Sequence, residues 1–118
     1  MCHVLIIEDE PLVAMNIQDI LALQGATSFE IVDTEEAAVS AAELNQPSVI
    51  TSDVKLLEGT GPHAVATIHQ RLGPIPVIFI TGTPDDCEPC STPGSIVRKP
   101  FTAQAVIAAF HNAAHLAQ

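Results

Sequence analysis

The stretch LIIEDEP places three consecutive carboxylates, Glu8, Asp9 and Glu10, directly after an apolar run. Like charges about 4 Å apart repel by roughly 1 kcal/mol in water and by roughly 4 kcal/mol at an effective dielectric constant of 20. Either a cation offsets this repulsion or the side chains point apart. Carboxylate oxygens favour hard cations, and Mg²⁺ typically takes one or two carboxylates together with waters and phosphate oxygens. The stretch is therefore a candidate Mg²⁺ site.

Three further polar residues stand at the ends of apolar runs: Asp53, Thr81 and Lys99. An aspartate carboxylate can attack phosphorus and form an aspartyl phosphate. The charge on a phosphoryl group in transfer is stabilised by cations and hydrogen-bond donors. Lys99 offers an ammonium group and Thr81 a hydroxyl, so these residues could support phosphoryl transfer to Asp53.

Five short apolar runs alternate with helical patterns along the chain. The runs predict strands at 3–7, 29–32, 48–52, 75–80 and 95–98. The segments with helical patterns predict helices at 11–24, 34–45, 62–72 and 102–116. In the first helix Val13, Ile17, Ile20 and Leu21 share one face, and Pro11 suits its first position.

Strands that alternate with helices imply an α/β fold in which a parallel sheet is covered on both faces. Ligands in such doubly wound sheets bind beyond the carboxyl ends of the strands. This rule brings Glu8, Asp9, Asp53, Thr81 and Lys99 to one edge of the sheet. Glu10 suits the start of the first helix, where the helix dipole favours an acid.

The composition limits the classes of function. A length of 118 residues suits one domain, which we expect to span residues 1–118. The formal net charge is -10 with only four Lys and Arg residues, so direct binding to nucleic acid or to an acidic membrane surface is disfavoured. The sequence has neither an apolar run of about 20 residues nor a signal peptide, which predicts a cytoplasmic protein.

Four anchors now stand in order, each at a predicted strand end: the acids of LIIEDEP, the aspartate of ITSDVKL, the threonine of FITGT and the lysine of VRKPF. In this the sequence resembles the receiver domain of bacterial two-component response regulators. The segment FITG and the loop DVKLLEGTG further resemble the stand-alone "FAT GUY" receivers, which are common in alphaproteobacteria. The resemblance implies a flavodoxin-like sheet with strand order 2-1-3-4-5.

The resemblance also implies roles for individual residues. Asp53 would be the phosphoacceptor, and Thr81 and Lys99 would contact the phosphoryl group. Mg²⁺ would be bound directly by Asp9 and Asp53, by the backbone carbonyl of Lys55, and through water by Glu8. The phosphoryl donor would be a histidine kinase or a histidine phosphotransfer protein. Such a protein is a signalling regulator and not an enzyme with a separate substrate, and it acts on protein partners through a conformational change.

The sequence departs from the family pattern at several positions. Ile96 stands where most receivers have the aromatic residue that moves on activation, and Leu57 replaces the usual proline after the phosphoacceptor. The segment between Thr81 and Lys99 is short and contains three prolines, which predicts a shortened or irregular fourth helix. These departures argue against the standard aromatic-coupled switch. A separate alternative function is a degenerate receiver that binds partner proteins without being phosphorylated.

Other motifs point to weaker alternatives. Cys87 and Cys90 form a CxxC pair, but the neighbouring acids oppose a reactive thiol. His111 and His115 share a helix face, and we interpret them as solvated surface residues. A phosphatase of the haloacid dehalogenase type would need a second aspartate two residues after the nucleophile, where this chain has Lys55.

Overall fold

The computed structural model describes residues 2–82 and 94–116. The described strands are β1 (His3–Ile7), β2 (Ser28–Val32), β3 (Val49–Ser52), β4 (Val77–Thr81) and β5 (Gly94–Arg98). The described helices are α1 (Pro11–Ala22), α2 (Glu35–Leu44), α3 (Gly61–Leu72) and α4 (Ala103–Leu116). Every element expected within these ranges is present, and the bounds agree to within about two residues, the usual uncertainty of a helix or strand end.

The strands form one parallel sheet in the order β2-β1-β3-β4-β5, so the predicted fold class is confirmed. Strand β1 lies inside the sheet, between β2 and β3. Its side chains alternate between the two faces, as the period of a strand requires. Leu5 and Ile7 pack with α2 and α3 on one face, whereas Val4 and Ile6 pack with α1 and α4 on the other. Burial on both faces explains why the inner strands β1 and β4 read as nearly unbroken apolar runs.

Threonine hydroxyls cap the starts of three of the described helices, α2, α3 and α4. The Thr34 hydroxyl accepts a hydrogen bond from the Ala37 N–H at the start of α2, at 3.1 Å. The Thr60 hydroxyl accepts one from the His63 N–H at the start of α3, at 3.3 Å. Such caps satisfy backbone donors that the first helical turn leaves without an intrahelical partner. They fix where the loops after β2 and β3 end.

Two sequence-based interpretations lie outside the described residues. The shortened or irregular fourth helix was predicted between Thr81 and Lys99, and residues 83–93 of that segment, with Cys87 and Cys90, are not among the described residues. Within the described ranges, no helix has the combined length and apolar character that a membrane span requires.

Candidate functional site

The backbone brings four predicted site residues to the carboxyl edge of the sheet. Glu8 follows β1, Asp53 follows β3, Thr81 ends β4, and Lys99 follows β5. Two hydrogen bonds extend the ladders to this edge: the Asp53 N–H donates to the Ile7 carbonyl and the Lys99 N–H to the Thr81 carbonyl, each at 2.8 Å. We call Glu8, Asp53, Thr81 and Lys99 the strand-end site.

Lys99 joins the two carboxylates of this site. Its Nζ donates to Glu8 Oε1 at 3.0 Å and to Asp53 Oδ2 at 3.1 Å. The Glu8 carboxylate is almost completely buried, and the side chains of Lys99 and Asp53 are 20% and 12% exposed. Unpaired charges at this depth are costly, so the ammonium group offsets the repulsion between Glu8 and Asp53. The Asp53 side chain thus remains slightly exposed to solvent.

The electrostatics of the site bring the pKa of the Glu8 carboxyl close to neutral pH. Burial raises the pKa of Glu8 from 4.5 to about 7, and the charge of Asp53 adds to the rise, while the hydrogen bond from Lys99 opposes it. Burial lowers the pKa of Lys99, but hydrogen bonds and charges from Glu8 and Asp53 outweigh burial and leave this pKa above its usual value. Lys99 is therefore a cation at every physiological pH, whereas Glu8 exchanges its proton near pH 7.

The Asp53 carboxylate is held in one orientation. Its Oδ1 accepts a hydrogen bond from the Val54 N–H at 2.7 Å, and its Oδ2 accepts the bond from Lys99. Gly61, at the start of α3, lies against the backbone of this residue. A Cβ added at Gly61 would lie 1.8 Å from the Asp53 carbonyl oxygen, so no larger residue fits without moving the loop. The chain is thus closely packed around Asp53.

The acids of LIIEDEP lie together but differ in exposure. Ligand atoms of Glu8, Asp9 and Glu10 lie within 4.8 Å of one another, with Glu8 buried, Asp9 half-buried and Glu10 exposed. Within the part of the chain that the structure describes, Asp53 does not join this group at that distance. Glu10 precedes α1 as expected, and its N–H donates to Glu8 Oε2 at 3.1 Å. An edge with only oxygen ligands of this kind fits a hard cation such as Mg²⁺.

The other residues singled out in the sequence differ in how deeply they are buried. Thr81 is buried, and Lys55 lies on the loop after β3, where it pairs in antiparallel fashion with Thr60. Ile96 on β5 is 48% exposed, so the position of the usual aromatic residue is at the surface. His111 is also exposed, as expected, and its Nε2 lies 2.8 Å from Gln24 Oε1 on the segment that follows α1.

Sequence reasoning missed two residues near the site. Gly61 was not singled out, because the close approach of the Asp53 backbone depends on how α3 docks. Glu35 was not singled out either, although its side chain accepts a hydrogen bond from the Thr60 N–H at 3.1 Å. No local pattern signals either contact, because Glu35 and its partner Thr60 are 25 positions apart in the chain.

Known proteins resemble this chain in sequence. It is 31% identical over 102 residues to the phyllosphere-induced regulator PhyR of Methylorubrum extorquens, a match that covers 84% of the chain and 38% of PhyR. It is 34% identical over 114 residues to the transcriptional regulatory protein PdtaR of Mycobacterium tuberculosis, covering 91% of the chain and 54% of PdtaR. The chain therefore spans only part of the length of these curated relatives.

Solved structures resemble it in fold. The solution structure of the receiver domain of Erythrobacter litoralis PhyR superposes with a TM-score of 0.84 at 31% identity, covering 95% of this chain and 88% of that one. The receiver domain of the sensor histidine kinase PA1611 from Pseudomonas aeruginosa, which has a magnesium ion in its active-site cleft, superposes with a TM-score of 0.85 at 21% identity, covering 97% and 98%. At that identity the second likeness shows the fold alone.

The family model for the response regulator receiver domain matches residues 4–111. This range contains β2 to β5, all of β1 except His3, and every residue of the strand-end site. The resemblance that the four sequence anchors predicted is confirmed, and PhyR-type regulators are among the relatives. The chain belongs to the response regulator receiver domain family.

Proposed function

We propose that this receiver takes a phosphoryl group onto Asp53 from the phosphohistidine of a histidine kinase or a histidine phosphotransfer protein. The observation that carries the proposal is the placement of Lys99 Nζ between the Glu8 and Asp53 carboxylates. It puts a cation 3.1 Å from the expected nucleophile, where charge develops during phosphoryl transfer.

The step itself is a displacement at phosphorus. One Asp53 oxygen forms a bond to phosphorus, and the bond from phosphorus to the donor imidazole breaks, with its electron pair leaving on nitrogen. The hydrogen bond from the Val54 N–H limits rotation of the Asp53 carboxylate, which favours a near-attack geometry. Lys99 and the Thr81 hydroxyl would then stabilise the phosphoryl oxygens.

We propose that this chemistry requires Mg²⁺. Asp9 and Asp53 would bind it directly, Glu8 through water, and Lys55 through its backbone carbonyl. The oxygen donors and the partly exposed Asp9 support this assignment, as does the ion in the PA1611 receiver. Bound Mg²⁺ would add positive charge at the phosphoryl oxygens.

The output would be a change in the surface offered to protein partners, because phosphorylation can shift an equilibrium between two conformations. With Ile96 in place of the usual aromatic residue, we expect the response to concentrate between Gly82 and Pro93, most of which lies outside the described residues. The strong negative charge favours protein partners over nucleic acid, and we expect the domain to act in the cytoplasm.

The test is intact-protein mass spectrometry after incubation with acetyl phosphate, with and without Mg²⁺. We expect an adduct of about 80 Da that requires both the metal and Asp53, so that Asp53→Ala abolishes it. Asp33→Ala is the matched control, because Asp33 follows β2 at the same edge of the sheet but is exposed.

A small donor can be a poor substitute for a kinase, so a histidine kinase serves as the second donor. If neither donor produces an adduct, the proposal is wrong and the phosphorylation-independent binding module takes its place. An adduct that survives Asp53→Ala would instead assign the phosphoacceptor to another residue.

A further inference from the structure

The loop that carries Lys55 is a short hairpin. The Gly61 N–H donates to the Val54 carbonyl at 2.8 Å, and the Leu56 N–H donates to the Gly59 carbonyl at 3.4 Å. These two bonds flank the antiparallel pair formed by Lys55 and Thr60. In a pair of this non-hydrogen-bonded type, the peptide groups of the two residues point away from each other.

Glu35 binds the outer side of this hairpin. Because the Thr60 N–H points away from Lys55, it needs a partner elsewhere, and it donates to Glu35 Oε1 at 3.1 Å. The Lys55 carbonyl, by the same pairing rule, points away from Thr60 on the opposite side. The side chain of Glu35 and the expected metal-binding carbonyl thus lie on opposite sides of one narrow hairpin.

A second hydrogen bond from Glu35 fixes the orientation of the hairpin relative to α2. The backbone N–H of Glu35 donates to the Glu58 carbonyl at 3.1 Å. Between these two attachment points lies Gly59, whose φ is +82°. A Cβ added at Gly59 would lie 2.5 Å from Glu35 Oε1, so the contact leaves no room for a side chain. We call the group formed by Glu35, Glu58, Gly59 and Thr60 the Glu35 contact.

We infer that Glu35 is a positioning residue for phosphoryl transfer, which holds the Lys55 carbonyl in place by fixing the hairpin from the start of α2. This inference rests on the proposed function, since it concerns the Mg²⁺ site of Asp53. A general helix-dipole role does not explain the contact, because Glu36 is also an acid in the first turn of α2 but is exposed.

The experiment measures Mg²⁺ affinity by isothermal titration calorimetry in three variants that each remove one negative charge: Glu35→Ala, Glu35→Gln and Glu36→Ala. Glutamine retains an Oε1 that can accept from the Thr60 N–H, whereas alanine does not. We expect Glu35→Ala to weaken Mg²⁺ binding about fivefold or more, and the other two variants to stay within about twofold of wild type.

Amide hydrogen exchange in Mg²⁺-free protein tests the contact without any metal or phosphoryl donor. Exchange of the Thr60 N–H should accelerate about fivefold or more in Glu35→Ala and remain unchanged in Glu36→Ala. Unchanged exchange, or unchanged Mg²⁺ affinity, in Glu35→Ala would overturn the inference.

A loss of Mg²⁺ affinity shared by Glu35→Gln or Glu36→Ala would also overturn it, since net charge would then be the cause. These outcomes are separate from failure of the proposed function. That failure appears in the wild-type protein, as absence of both Mg²⁺ binding and the phosphoryl adduct.

Discussion

Glu8 and Glu35 are both glutamates at the boundary of a secondary structure element, but the fold uses them in different ways. Glu8 lies at the end of a central strand, where its carboxylate is buried and paired with Lys99. Glu35 begins α2 and is half-buried, and its side-chain partner is a backbone N–H. The strand-end site therefore depends on opposed charges at low dielectric, whereas the Glu35 contact depends on the direction of a hydrogen bond.

This difference has a physical consequence. Coulomb interactions strengthen as the effective dielectric constant falls, so a change of charge costs most where water is excluded. At a half-buried helix start, water screens charge, so hydrogen-bond geometry and steric fit matter more than net charge. We expect substitutions that change charge to have the larger effects at the strand-end site. At the Glu35 contact we expect substitutions that change side-chain shape to have the larger effects.

The largest effect is expected from Lys99→Ala. It removes the cation beside Asp53, and the loss of one preorganised stabilising group typically slows a reaction by about 100- to 1000-fold. The slowing is measured as the rate at which the phosphoryl adduct of Asp53 forms from acetyl phosphate at a fixed Mg²⁺ concentration. Arg98→Ala is the control, because Arg98 is the preceding cation but is exposed. A rate within about threefold of wild type for Lys99→Ala would remove the lysine from the mechanism.

The next effect is a pH dependence of stability set by Glu8. Its pKa rises from 4.5 to about 7 on folding, so the folded protein holds this proton more tightly than the unfolded chain does. The stability due to this proton is complete below pH 4.5 and is lost as the pH rises through about 7.

Replacing the carboxyl by an amide removes this pH dependence. Between pH 5 and pH 8, Glu8→Gln should gain about 2 to 3 kcal/mol in free energy of unfolding relative to wild type. Urea denaturation with a chelator present measures the gain, and Glu36→Gln, which alters an exposed carboxylate, should show none. Parallel pH profiles for wild type and Glu8→Gln would mean that Glu8 is already ionised at pH 5.

The smallest effect is expected from Gly59→Ala. Comparing it with Gly25→Ala separates the steric clash with Glu35 from the strain of a left-handed backbone conformation. Gly59 and Gly25 both have positive φ, of +82° and +97°, but only Gly59 has a side chain within 4 Å of an added Cβ. Both alanine variants bear the strain of a left-handed residue, about 1 kcal/mol or more. Gly59→Ala should be less stable than Gly25→Ala by about another 1 kcal/mol, because Glu35 must move. If thermal unfolding shows equal losses of stability in the two variants, the Glu35 side chain moves away at no energetic cost.

The sequence supported the prediction of most elements and of the residues at strand ends. Apolar runs bounded by Gly and Pro are local signals, and they located the strands that precede Glu8, Asp53 and Lys99 to within one or two residues. The start of β4 was predicted at Ile75 and is observed at Val77, a difference of two residues. Ile75 donates its N–H to the Gly73 carbonyl, a turn that local hydrophobicity does not reveal.

By itself, then, the sequence determined that strands alternate with helices and which polar residues follow each strand, because the side-chain period and the strand-breaking residues are local properties. Only the tertiary structure decided which of these residues touch. Lys99 meets Glu8 across 91 positions and Asp53 across 46, and the burial of Glu8 depends on β1 lying inside the sheet. Such contacts arise from strand order and helix docking, and these determine both the pKa of Glu8 and the attachment of the Lys55 loop to Glu35.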